Sequence, residues 1–200
     1  MSLIPKLGLG FAGLAGVSGA GYLGFRKLSQ EPKESFKTKY SLAVNGFLSD
    51  DATLGKKLEA LGNDSLSPKH PDLISAKTHK KASKAEDAKT ALKKGCADIH
   101  DKPIDSGFLD DFRNYCSFNN GDKLGSNKTL VSAEGDLANK KEAFKNKGED
   151  QLQKGFKNIG KPVEASSDTS WQKAVFSECT KLSTEIFEGE ISNFMEFCSK

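Results

Sequence analysis

The chain has 200 residues, 36% of them hydrophobic and 28% charged, which allows one modest globular body and does not force disorder. Its net charge is +3, and residues 1–30, with Lys6, Arg26, Lys27 and no acid, account for all of it. The rest of the chain is charge-balanced, so a globally basic nucleic-acid binder is disfavoured, and with thirteen Phe against one Trp and three Tyr, Phe must carry most of any core.

Residues 7–25, LGLGFAGLAGVSGAGYLGF, run without a charge between Lys6 and Arg26-Lys27, about the length that spans a hydrocarbon core. Gly8, Ala12, Gly16, Ala20 and Gly24 recur every four residues. On a helix they form one smooth stripe, the surface through which two membrane helices approach closely. Membrane lipid is thus one expected partner, and a second copy through this stripe is another. A cleaved leader ending at Ala20 is the rival reading; the thin basic region before the segment favours an uncleaved single-pass anchor. Arg26, Lys27, Lys33, Lys37 and Lys39 would hold the body on the cytoplasmic side, whereas the cysteines below point outward. Two G-x-G-x-x-G matches, GLGFAG and GAGYLG, fall inside this run. No strand precedes either, so they carry no nucleotide-binding reading.

The body reads as a duplication. KESFKTKYSLAVNGF (33–47) matches KEAFKNKGEDQLQKGF (141–156), ALKKGCADI (91–99) matches AVFSECTKL (174–182), and LDDFRNYCS (109–117) matches ISNFMEFCS (191–199). This alignment gives a unit at 33–118, a polar connector at 119–140 and a second unit at 141–200. Unit 1 then carries about 25 extra residues within a Lys-rich insertion near 63–88, expected as a loop or a poorly ordered stretch. Periodicity is helical throughout. Ala88, Ala91, Leu92, Gly95, Cys96 and Ile99 share one face, as do Trp171, Ala174, Val175, Cys179, Leu182 and Ile186. Phe108, Leu109, Phe112, Tyr115 and Cys116 make a second stripe, repeated by Phe187, Ile191, Phe194 and Cys198. Pro103 breaks the chain between the stripes, with Asp105 or Ser106 as the expected N-cap of the helix that follows. The expected fold is all-α: an N-terminal membrane helix, residues 1–30 with its flanks, followed by two small repeated helical modules joined by polar loops.

No catalytic signature emerges, and neither catalytic, cofactor-binding nor metal-binding residues are assigned; the chain reads as a non-enzyme with no cofactor. Structural zinc wants closely spaced Cys pairs, which are absent. Cys96 and Cys116, and Cys179 and Cys198, lie 20 and 19 residues apart, and four cysteines allow three connectivities. In an exported body each pair could close an antiparallel helical hairpin, with both cysteines on the apolar faces that meet. Reduced core cysteines are the alternative. His100, four residues after Cys96, reads as a solvated histidine at a helix end, and His70 and His79 fall in the insertion. Asp50-Asp51 and Asp110-Asp111 read as solvated or first-turn acids. Residues 77–94 hold seven Lys against Glu86 and Asp87. Without Arg or interleaved aromatics they read as a solvated face before a site for nucleic acid or anionic lipid.

The short Met-Ser start, the Gly-rich apolar stretch and the duplicated body, with an aromatic residue before the second cysteine (Tyr115-Cys116, Phe197-Cys198), resemble uncharacterised paralogous protein families of haemotropic mycoplasmas. Members often carry Trp ahead of a unit's first Cys. Trp171 fits, whereas Ala88 stands at the aligned position and implies that unit 1 is the looser module. The resemblance implies a membrane-associated, surface-exposed and variable or antigenic protein, with a host or environmental protein as partner and an extracellular body on a single-pass anchor in the cell membrane. The competing expectation is a cytoplasmic-facing anchored protein that uses residues 77–94 to hold anionic lipid or nucleic acid.

Overall fold

Short apolar stripes punctuated by Pro, Gly and Asp build short helices, and the computed structural model, which describes residues 33–125, 127–162 and 169–200, has nine of them and no strand among those residues. They are α1 (Phe36–Lys39), α2 (Ser41–Val44), α3 (Asp51–Gly62), α4 (Pro71–Lys81), α5 (Ala85–Asp101), α6 (Leu109–Tyr115), α7 (Lys141–Asn146), α8 (Ser170–Ser183) and α9 (Ser192–Phe197), with five 3-10 turns between them. The chain divides into Met1–Lys33 and Glu34–Lys200, and the nine helices all lie in the second of these. The expected membrane segment and its small-residue stripe lie outside the described residues. Among the described residues no helix is long and apolar enough to cross a membrane.

Local chemistry sets the helix ends. The Asp50 carboxylate accepts the Thr53 N–H at 2.9 Å to cap α3. Pro71 opens α4 behind a His70 imidazole that accepts the Asp72 N–H at 3.2 Å, while His79, Lys80 and Lys81 close it. Glu86 and Asp87 open α5, which stops at Asp101 because Lys102, preceding Pro103, is driven to extended ψ 149°. The Lys-rich insertion is therefore not a loop: its middle is α4, whose Leu73 and Ala76 are fully buried. Two further expectations are corrected. The N-cap position of α6 is Phe108, with no side-chain cap from Asp105 or Ser106. Leu109 is 42% exposed, because the first turn of α6 lifts it off the core.

Two separate hydrophobic cores form, one from residues between Phe36 and Phe118, the other between Leu124 and Cys198. Their hydrogen bonds repeat. Ser35 bridges Pro103 as Asn119 bridges Ile186. Phe36 N–H donates to the Lys102 carbonyl as Asn120 N–H does to Glu185, both at 3.1 Å. Ile104 N–H reaches Glu34 as Phe187 N–H reaches Phe118, and Phe118 N–H reaches Ala43 as Lys200 N–H reaches Thr129. Buried positions follow the same shift: Leu54 and Leu137, Leu61 and Phe144, Leu73 and Phe156, Leu92 and Val175, Ile99 and Leu182. Helix α3 thus corresponds to the 3-10 turn Glu134–Lys140 plus α7, and the start of α4 to the turn Lys154–Asn158.

This register corrects the expected alignment. The cysteine-bearing matches hold, but the match of 33–47 with 141–156 does not, since Phe144 takes the place of Leu61 and Phe156 that of Leu73. A Lys-rich surface helix burying one Phe recurs from composition alone. With that match removed the 25 extra residues vanish. The modules are contiguous, and the supposed connector is the first part of the second one, giving Leu124, Val131 and Leu137 to its core. Phe118 is the joint: its N–H donates to Ala43 in the first module and its carbonyl accepts Phe187 N–H in the second, both at 2.9 Å. Ile186, expected on the α8 stripe, lies beyond the helix end in this junction.

The modules differ where α5 and α8 meet their neighbours. A Cβ on Gly95 would stand 3.1 Å from Asp72 Cβ and from Leu73 Cδ2, so glycine lets α4 approach α5 closely. The equivalent Glu178 accepts the Gly155 N–H at 2.9 Å and fills that space with a side chain. Ala88 is fully buried, and its counterpart Trp171 stacks on Phe144 at 6.0 Å. Where the second module sets large side chains, the first sets a closely approaching helix. Gly95→Leu should therefore destabilise by about 3 kcal/mol through overpacking. Gly55→Ala, in the exposed face of α3 with nothing within 4 Å of the added carbon, should stabilise by about 0.5–1 kcal/mol. Urea unfolding of the two variants checks both signs.

Candidate functional site

Each module is stapled at its centre. Cys96 on α5 is joined to Cys116 at the end of α6, and Cys179 on α8 to Cys198 at the end of α9, with Cα atoms 4.9 and 5.3 Å apart. All four are fully buried. These are the two pairs expected from the apolar stripes, and closing loops of this length contributes about 3 kcal/mol each.

Around the first staple the structure buries groups expected in solvent. His100 is 6% exposed, and its Nε2 donates to the Cys116 carbonyl at 2.6 Å. That bond places the ring proton on Nε2 and leaves Nδ1 as an acceptor. Burial pulls the His100 pKa down; the Cys116 bond and the Asp101 charge oppose it, and Lys37 adds to it. Asp111, 2% exposed, accepts the Lys69 and His70 N–H groups at 2.8 and 2.7 Å, anchoring the chain into α4. Its counterpart Asn193 accepts Gln153 N–H at 2.6 Å, so a neutral amide oxygen does the same anchoring in the second module. His70 is bound on both nitrogens, with Nε2 2.8 Å from Asp98. Burial also raises the Tyr115 pKa, and its hydroxyl has no partner; Phe197 stands at the equivalent place. The hydrophobic patterns marked these positions as helix ends but carried no signal for the tertiary contacts that bury them.

The Lys-rich run is not a free basic surface. Lys89 and Lys93 reach Asp51 at 2.8 and 3.4 Å, Lys94 reaches Asp72 at 2.9 Å, and Lys80 reaches Glu59 at 2.5 Å. Lys81 pairs with Asp64, and Lys77 donates to the Asn63 and Leu66 carbonyls at 2.9 and 2.7 Å. At the junction Lys57, 5% exposed, bonds Asn119 and lies 3.0 Å from Asp122; burial lowers its pKa and the Asp122 charge opposes this. Asn119 also donates to the Arg113 and Thr184 carbonyls at 3.0 and 2.9 Å, which ties three segments together.

A groove of about 820 Å³ lies between α1, α2 and the end of α5. Leu42, Val44 and Leu48 line it together with Lys37, His100 and Asp101. Two smaller pockets hold the Tyr115 region and, between the modules, Glu185, Glu188 and Glu190. Among the described residues no three His, Cys, Asp or Glu side chains are placed to hold a metal ion. The chain matches no protein-family model, no curated protein and no solved structure.

Two predictions follow from the buried groups. Asp111→Asn should retain nearly full stability, as Asn193 does this work in the second module, whereas Asp111→Ala should lose about 2–3 kcal/mol by leaving the buried His70 N–H and the part-buried Lys69 N–H without their acceptor; denaturant midpoints decide. His100 has a lowered pKa in the folded state, so the unfolded chain binds the extra proton first. Stability should then fall as pH drops below about 6.5, levelling off once the folded imidazole also protonates. His100→Gln keeps a donor for the Cys116 carbonyl and should flatten the stability profile between pH 7 and 5, followed by thermal unfolding across that range.

Proposed function

We propose that this chain is a non-enzymatic, membrane-anchored surface protein that presents two rigidly joined helical modules to host or environmental proteins. Residues 7–25 supply the single-pass anchor, and their small-residue stripe allows self-association in the membrane. The observation that carries this reading is the pair of buried intramodule disulfides. Such staples are characteristic of small domains outside the reducing cytosol, where a small core needs reinforcement. Buried structural carboxylates and histidines, each committed to a backbone or side-chain partner, favour a binding and display role over catalysis. The resemblance to haemotropic mycoplasma families agrees with surface display and antigenic variation.

The cytoplasmic-facing alternative relied on residues 77–94 as a patch for anionic lipid or nucleic acid. Ion pairing of that run with Asp51, Glu59, Asp64 and Asp72 leaves little unneutralised charge to attract phosphate. Protease treatment of intact cells tests the reading. The body should be digested with the anchor retained, and protein denatured without reductant should take up maleimide only after a reductant is added. A protected body with four free thiols would establish the alternative.

A further inference from the structure

We propose that Lys57 and Asn119 become joined by an isopeptide bond that seals the junction between the modules, with Asp122 carrying the protons. The inference stands on the junction itself and does not depend on which side of a membrane the body occupies.

The junction sets an amine, a side-chain amide and a carboxylate together where little water enters. Lys57, on α3, is 5% exposed and Asn119 is 8% exposed. The Lys57 Nζ bonds the Asn119 Oδ1, which brings the amine beside the amide carbon Cγ. Asp122 Oδ2 lies 3.0 Å from that Nζ and accepts the Asn119 backbone N–H at 2.9 Å, so it is held against both partners. On the far side of the amide, Nδ2 donates to the Arg113 and Thr184 carbonyls at 3.0 and 2.9 Å. Those two bonds fix the amide and receive the nitrogen that leaves. Burial lowers the Lys57 pKa, which favours the neutral, nucleophilic amine. Groups held in contact by the fold need no encounter, and that removes a large part of the barrier separating free amine from free amide.

The step balances with the groups in place. The Lys57 ammonium gives one proton to the Asp122 carboxylate, and the freed Nζ lone pair attacks Asn119 Cγ as the carbonyl pair moves onto Oδ1. Asp122 delivers its proton to Nδ2 and takes one from Nζ. The Cγ–Nδ2 bond then breaks, its electron pair leaves with nitrogen, and the carbonyl re-forms. Ammonia departs with the proton that Asp122 still holds. One lysine ammonium and one primary amide thus become one secondary amide and one free ammonium, with no oxidant or other reactant. A neutral amide then replaces the buried cation, whose desolvation is costly.

The second module shows which part of this arrangement matters. Its Lys140, at the place of Lys57, donates at 2.8 Å to the backbone carbonyl of Glu196. Attack there would cut the main chain, whereas attack on Asn119 releases only ammonia and leaves the chain whole.

Tryptic mapping of the full chain as isolated tests the assignment, with one portion reduced and alkylated and one left unreduced. Cleavage after Lys57 should be missing. A branched peptide should join Lys57 to Asn119, lighter by one ammonia than its two parts together. Lys57→Met should abolish that peptide, and Asp122→Asn should slow its formation about a hundredfold. The unreduced portion reports the fold of each variant through the Cys96–Cys116 and Cys179–Cys198 peptides. Separate, unmodified Lys57 and Asn119 peptides from unsubstituted chain carrying both cystines would overturn the proposal. Linkage as fast in Asp122→Asn would overturn the role given to Asp122.

Discussion

The constraint on which the body depends is the cystine held between a long helix and the end of a short one. In each module the bond sits in the middle of the core, flanked by a buried aromatic pair: Phe112 and Tyr115 in the first, Phe194 and Phe197 in the second. The long helix ends one turn past its cysteine, the turn between the two helices pairs with the start of its own module, and the residue beyond the short helix bonds back into that module, Phe118 to Ala43 and Lys200 to Thr129. The remaining helices then cover the exposed side of the locked pair, and that cover is where the modules diverge.

Divergence at equivalent positions follows a volume argument. Protein interiors tolerate substitution when total volume and pattern are kept. The first module sets Gly95, Ala88 and Ala76 along the contact between α4 and α5 and fills the space with a regular helix. The second sets Glu178, Trp171 and Ile159 there and covers them with a 3-10 turn. One solution buries backbone closely and the other buries large side chains. The same logic lets Asn193 replace Asp111 as acceptor, and Phe197 replace Tyr115 by dispensing with an unpartnered hydroxyl.

How much of this was legible in the sequence depended on the range of the interaction. The stripes through Cys96, Cys116, Cys179 and Cys198 report which helix faces meet, because an apolar face at a period of 3.6 has few alternatives to burial, and the cysteine pairing followed from them. The repeat register failed where it rested on KE-x-F-K-x-K, a pattern any amphipathic Lys-rich helix with one buried Phe produces. Helix α4 was missed because its face is sparse, with only Leu73 and Ala76 fully buried, and because its lysines read as solvated. Their partners, Glu59 on α3 and Asp64 just beyond it, lie outside the helix, and pairing across such distances leaves no trace in local periodicity. His100 and Asp111 were misplaced for a related reason: both serve backbone groups of distant segments, the Cys116 carbonyl and the Lys69 and His70 amides.

The junction determines what such a protein can present. A flexible linker would let each module bind independently, with an effective concentration set by linker length. Here Phe118 belongs to both modules through its two backbone groups, and Lys57, Asn119 and Asp122 add a buried polar network across the boundary. Removing one partner of such a network leaves the others desolvated without compensation, so the joint resists change at single positions even as module surfaces vary. Variation can therefore accumulate on the outward faces, such as the groove of the first module, while the spacing and orientation of the two modules stay fixed.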